Sequence, residues 1–253
     1  MFTRATILAI TASSMLVGCS LGQDETEETI ENLIQAGYPA DDIMVVDGDV
    51  YVGRDALVSL EASREMLQPV DTTEEQYRTN NLVGSNIGRI CINPSSGFTG
   101  SFSTGLDLAI ENYNQLGLQF TLVRGSSGCD ATIRAVIKQG LVGGSSGFPK
   151  GGKPYRQINI GGGLTPYGVD VIEHVITHEI GHTVGLRHSD FFDRSISCGG
   201  APTNEGAGSI GAIHIPGTPT GATVGGSVMN SCFRSSESGE WSSSDRTALQ
   251  TVY

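Results

Sequence analysis

Residues 178–190 read His-Glu-Ile-Gly-His-Thr-Val-Gly-Leu-Arg-His-Ser-Asp, and three imidazoles beside a carboxylate at this spacing can build a metal-dependent hydrolase. On an α-helix His178 and His182 stand at i and i+4, share one face and can chelate one ion. Gly185 is where that helix should stop, because glycine tolerates the left-handed conformation of a helix end. The chain can then turn back and bring His188 to the same metal. Three neutral imidazoles leave the fourth position of zinc open for water, which is the arrangement of a catalytic site. Zinc lowers the pKa of that water toward 7 and polarises a carbonyl. Glu179, next to the first ligand, can face the water as general base and later protonate a leaving amine.

His174 is an internal control. It too is four residues from His178, but it lies eight from His182, about 12 Å along the axis at 1.5 Å per residue. Zinc–nitrogen bonds of about 2.1 Å cannot bridge that span, so His174 reads as a packed or exposed helix residue. His214, in an Ile-His-Ile-Pro loop, is likewise read as having no part in the metal site.

The motif needs a scaffold. Asp170 with Glu173 looks like a capping box opening the site helix, and Val171, Ile172, Val175 and Ile176 supply its buried stripe. Upstream, Arg89–Asn93, Leu118–Val123, Thr132–Lys138 and Arg156–Ile160 have strand character, and Thr104–Leu116 is an amphipathic helix. This order predicts an α/β (α+β) domain with a mostly parallel sheet over residues 85–253. Before it, Ile43–Val46 and Val50–Val52 flank Asp47-Gly48-Asp49, a hairpin signal. Ala56–Leu67 has helical spacing, and Pro69–Ser85 reads as a polar linker.

Charge separates these parts. Of 253 residues with a net charge of −12, residues 20–80 hold 15 Asp and Glu against Arg54, Arg64 and Arg78. The acidity therefore sits in residues 19–84, a separate N-terminal module. Such a balance excludes general nucleic-acid binding, which needs clustered cations. Residues 1–18 start with Arg4 and continue apolar, as secretory signals do. They end in Leu16-Val17-Gly18-Cys19, which resembles the lipobox of bacterial lipoproteins. That likeness implies a lipidated Cys19 as membrane anchor, and Ser20 resembles the next residue of lipoproteins sent beyond the inner membrane. The expected location is the bacterial cell envelope, on the outer membrane, or outside the cell after processing. Without Cys19 the chain keeps Cys91, Cys129, Cys198 and Cys232, an even number suited to two disulfides with three connectivities open.

The spacing His-Glu-x-x-His-x-x-Gly-x-x-His resembles the metzincin metallopeptidases, whose motif is followed by a Met-turn. Met229, in Ser227-Val228-Met229-Asn230, is the Met-turn candidate. Its 41-residue distance from His188 differs from matrixins. The closer likeness, over Arg89–Tyr253, is to the bacterial dual-action HEIGH metallopeptidases. No Tyr closely follows Met229, so a tyrosine ligand of the astacin kind is not implied. Ser242–Gln250 resembles the metzincin C-terminal helix and has good N-cap chemistry. The resemblance implies a zinc endopeptidase acting on proteins or peptides, with Cys91 paired to Cys129 and Cys198 to Cys232. Substrate is expected as an added strand along Leu141–Gly147, with a specificity pocket using Val184, the turn after Met229 and Phe233–Trp241. Rival readings are a surface module that holds zinc without turnover and a zinc hydrolase of other amides.

Val46-Asp47-Gly48-Asp49 also resembles the segment through which astacin propeptides place an Asp on the metal. Asp49 is accordingly the expected latency ligand, with activation by cleavage between Thr72 and Arg89. The bland alternative for the same residues is a plain Asp-Gly hairpin in a small N-terminal domain.

Overall fold

The computed structural model describes residues 21–67, 76–206, 211–219 and 221–253. The whole leader and Cys19 lie outside them, as do Thr72 and the residues up to Glu75.

The N-terminal module begins with α1 (Leu21–Gln35), followed by β1 (Met44–Val46), β2 (Asp49–Val52), β3 (Ala56–Val58) and α2 (Leu60–Met66). Asp47 and Gly48 both take positive φ, 54° and 88°, which matches the twist of a two-residue hairpin and pairs β1 with β2 antiparallel. Ala56–Val58, expected as the start of a helix, is a strand instead. Ala56 and Val58 point inward while Leu57 is only half-buried, a period of two. Helix α2 starts one residue after that strand, where the Ser59 hydroxyl accepts from Ala62 N. Leu33, Tyr38, Val50, Val52, Val58 and Met66 form a small core that Phe148, from outside the module, completes.

The second body holds β4 (Tyr77–Arg78), β5 (Arg89–Pro94), α3 (Ser101–Asn114), β6 (Thr121–Arg124), β7 (Ala131–Lys138), β8 (Gly144–Gly147) and β9 (Gln157–Gly161). The site helix α4 (Val169–Thr183), the short α5 (Ser195–Cys198), β10 (Ile213–His214) and α6 (Ser243–Val252) complete it. Strands β6, β5, β7 and β9 run parallel, and β8 joins β9 antiparallel. This is the mostly parallel sheet expected, with α3 and α4 packed together beside it. One sheet spans both bodies, because β3 pairs parallel with β8 through Ala56↔Ser146 and Leu57↔Gly147. The expected linker is in part structural. Residues Tyr77–Arg78 pair with β10, Thr79 N donates to Gly185 O, and Val83 and Ile87 enter the large core.

Cys91 is bonded to Cys129 and Cys198 to Cys232, with Cα separations of 5.7 and 5.1 Å. No helix of the described residues is long and apolar enough to cross a membrane.

Candidate metal centre

Helix α4 is buried along almost its whole length. It opens without the expected capping box: Gly168 is the N-cap, and the Glu173 carboxylate accepts from Asn112 Nδ2 at 2.8 Å instead. The helix ends as expected. Gly185 has φ +109°, and a Cβ there would fall 2.5 Å from Asn81 O, so conformation and packing both require glycine.

That stop returns His188 to the helix face carrying His178 and His182. Each Nδ1–H donates outward: His178 to Val228 O at 2.8 Å, His182 to Leu186 O at 2.8 Å and His188 to Glu205 Oε1 at 2.6 Å. The three Nε2 atoms therefore face one another. Those of His178 and His182 each lie 3.3 Å from that of His188. Bonds of about 2.1 Å to a tetrahedral zinc put ligand atoms about 3.4 Å apart. The trio has the dimensions of a zinc site.

A fourth group stands with them, and it is Asp55. Its Oδ2 lies 3.1 Å from His188 Nε2 and 3.7 Å from His178 Nε2, and its Oδ1 lies 3.7 Å from His182 Nε2. All four ligand atoms fall within 4.8 Å of one another. Burial works against ionised Asp55, but His188 above all outweighs it and holds the carboxyl well below its usual range. Asp49 is elsewhere: the hairpin places it, exposed, opposite Val46 at the start of β2.

Glu179 projects from α4 toward β8, its carboxylate packed so closely on Gly144 that no Cβ would fit there. Burial first, and Asp55 second, push its pKa well up. Glu179 Oε2 and Asp55 Oδ1 are buried without hydrogen-bond partners, and a cation with a water beside it would satisfy both. The donor set fits zinc.

Met229 lies fully buried beneath the site, with its Sδ against Gly181. The turn it belongs to holds the histidine cluster in place. Val228 O accepts from His178 Nδ1 and Met229 O accepts from Ser189 N at 2.8 Å. Helix α6 fixes this turn in its turn. Ser242 and Asp245 form its capping box, and Asp245 also accepts from Ser227 Oγ and Val228 N.

A cleft of about 310 Å³ adjoins the histidines, walled by Leu141, Val142, His174, Val175 and Phe233. His174 is thus a buried wall residue, its pKa lowered to about 4 by burial and by His178, and it stays outside the ligand cluster. His214 sits in β10 against Tyr77. Val184, expected in the pocket, is fully buried in the large core, and Trp241 packs edge-on against Tyr113 behind it.

No curated protein sequence matches the chain. Among solved structures, myroilysin is 16% identical over 66% of this chain and 92% of that one, with a TM-score of 0.39. High choriolytic enzyme 1, a hatching-enzyme zinc-protease from the medaka Oryzias latipes, is 17% identical over 68% and 93%, with a TM-score of 0.41. The family model of the dual-action HEIGH metallopeptidases matches residues 50–253, a span that takes in Asp55 with the three histidines, and the chain belongs to that family, as a zinc metallopeptidase.

Proposed function

We propose that the chain is an exported endopeptidase, anchored through Cys19, whose N-terminal module keeps it latent until it is cut away. One observation carries the latency. Asp55 stands at the fourth corner of the histidine cluster while β3 occupies the free edge of β8. The first is where an attacking water must sit, and the second is where an extended substrate would pair as an added strand. Four protein ligands make a closed zinc set, whereas three leave a position open. Removing Asp55 therefore changes the class of site.

Zinc, when bound, supplies Lewis acidity to the scissile carbonyl and acidifies water. The chain's own residues do the rest. The Nε2 atoms of His178, His182 and His188 hold the ion, and the backbone of β8 aligns the substrate. Glu179, through Oε2, takes the proton from water and passes it to the departing amine. Release of the module needs a cut between Leu67 and Gln76, because from Gln76 onward the chain is bonded into the catalytic body.

Hydrolysis of a quenched-fluorescent peptide library by processed wild type and Glu179→Gln tests the chemistry. A loss of at least about 100-fold is expected on general acid–base grounds; equal rates would overturn Glu179 as base. Membrane fractionation of wild type and Cys19→Ser tests the anchor. The variant should move to the soluble fraction, and a shared distribution would remove the lipid from the proposal.

A further inference from the structure

We infer that Glu205 is a positioning residue for the third metal ligand, His188. The inference rests on the zinc-peptidase reading but needs neither the latency nor the anchor. His178 and His182 direct their Nδ1–H groups to neutral backbone carbonyls, whereas His188 directs its own to a carboxylate at 2.6 Å. Of the three histidines His188 is also the one outside α4, so no helix orients its ring. A carboxylate behind a ligating imidazole fixes the tautomer and the ring plane and makes the nitrogen a better donor to the metal. A hydrogen bond to an ionised acceptor is also shorter and stronger than one to a carbonyl.

The surroundings are built to hold that carboxylate. Glu205 is 1% exposed. Arg194 Nη1 lies 3.3 Å from its Oε1 and Arg187 Nη2 lies 3.5 Å from its Oε2. Ser231 Oγ, which donates to Asp190 Oδ1 at 2.7 Å, lies 3.2 Å from Oε1, and the Glu205 backbone N–H donates to Phe191 O. Arg187 is itself clamped by Gly206 O and Gly211 O. An N-terminal residue closes the pair from water. A Cβ on Gly53, which has φ +60°, would stand 3.0 Å from Glu205 Oε2 and 3.1 Å from His188 Nδ1, and Arg194 Nη1 donates to Gly53 O at 2.8 Å. A charged bond sealed in this way is stronger than one in water.

Glu205→Gln keeps an acceptor for His188 and removes the charge. In the full chain, competition with a zinc chelator should give an affinity about 10–100-fold below wild type. The absorption spectrum of the cobalt-loaded variant should shift with the altered third ligand, while its circular dichroism stays that of wild type. A folded Glu205→Gln that binds zinc with wild-type affinity and an unchanged cobalt spectrum would overturn the inference. Failure of wild type itself to bind zinc would sink the peptidase reading instead. Wild type alone supplies a second readout that no folding defect can spoil. In the proton NMR spectrum of the zinc-loaded chain, the Nδ1–H of His188 should lie downfield of those of His178 and His182. Three resonances grouped together would show that the carboxylate has no special part.

Discussion

The Sδ of Met229 rests against the Cα of Gly181, and a Cβ on that glycine would fall 2.6 Å from the sulfur. The contact fixes the height of α4 above the turn at Met229, and with it His178 and His182 on either side of Gly181. Gly181→Ala should therefore overpack the site, at a cost of about 1–3 kcal/mol, against a helix-propensity gain of about 1 kcal/mol. Met229→Ala should open a cavity and cost about 2–5 kcal/mol. In the double variant the new methyl enters the space the thioether left, so its loss should be smaller than the sum of the single losses. Thermal melts of the four proteins measure this. Additivity within about 0.5 kcal/mol would mean that the two residues do not share the space.

The Cys198–Cys232 bond spans the segment containing the Met-turn, with 34 residues of sequence separation. In the chain-entropy account such a loop stabilises by about 3–4 kcal/mol. Cys198→Ser/Cys232→Ser should lower the thermal midpoint by roughly 6–16 °C, at about 2–4 °C per kcal/mol for a chain of this size. A midpoint within a degree of wild type would show that the turn is held without the bond, by Asp245, which accepts from Val228 N, and by Asp190, which accepts from Ser231 N.

Legibility in the sequence followed distance along the chain. His178, Glu179, His182, Gly185 and His188 lie on one helix and one turn, so helix geometry alone assembles them. Met229 and both disulfides are distant, and resemblance rather than physics pointed to them. Asp55 reaches His188 across 133 residues, by a parallel pairing of β3 with β8 that no periodicity announces. Asp49 fits the Gly-Asp context of a latency ligand, but that context describes a hairpin turn, and the carboxylate that stands among the histidines comes six residues later. Glu205 stands in an irregular loop with no pattern around it. Its meaning comes from His188, Arg187 and Arg194, all of which are brought to it by the fold.

Glu173 carries a pH dependence. Burial, opposed by the Asn112 hydrogen bond and reinforced by Glu240 and Asp170, raises its pKa to about 7. A carboxyl whose pKa is raised on folding favours the folded state while protonated. Its contribution is complete below the ordinary value of 4.5 and is lost as the pH rises through about 7. Glu173→Gln keeps a partner for Asn112 and cannot ionise. Urea denaturation from pH 5 to 8 should show wild type losing stability over that window and the variant losing less. Parallel curves would mean that Glu173 ionises freely in the folded protein.

Asp55 and Asp49 offer a direct comparison within one short segment. Asp55 lies among the three Nε2 atoms, with its backbone run into the sheet at β3, while Asp49 is exposed at the start of β2. If the segment imposes latency through the metal, Asp55→Ala in the uncleaved chain opens the fourth position and leaves the module's other holds as the barrier, among them the strand pairing and the Arg194 hydrogen bond to Gly53 O. The pairing with β3 covers only two positions of β8, Ser146 and Gly147, so once the ligand is gone a short substrate can compete for the rest of that edge. Peptide hydrolysis by uncleaved Asp55→Ala should rise at least about tenfold over uncleaved wild type, the change that 1.4 kcal/mol of lost preference produces. Asp49→Ala should leave the uncleaved rate where it was. After the cut between Leu67 and Gln76 and removal of the N-terminal module, all three chains should hydrolyse at one rate, because neither residue belongs to the catalytic body. Uncleaved wild type as active as the cut enzyme would end the latency reading, and a rise with Asp49→Ala but not Asp55→Ala would move the blocking ligand back to the hairpin.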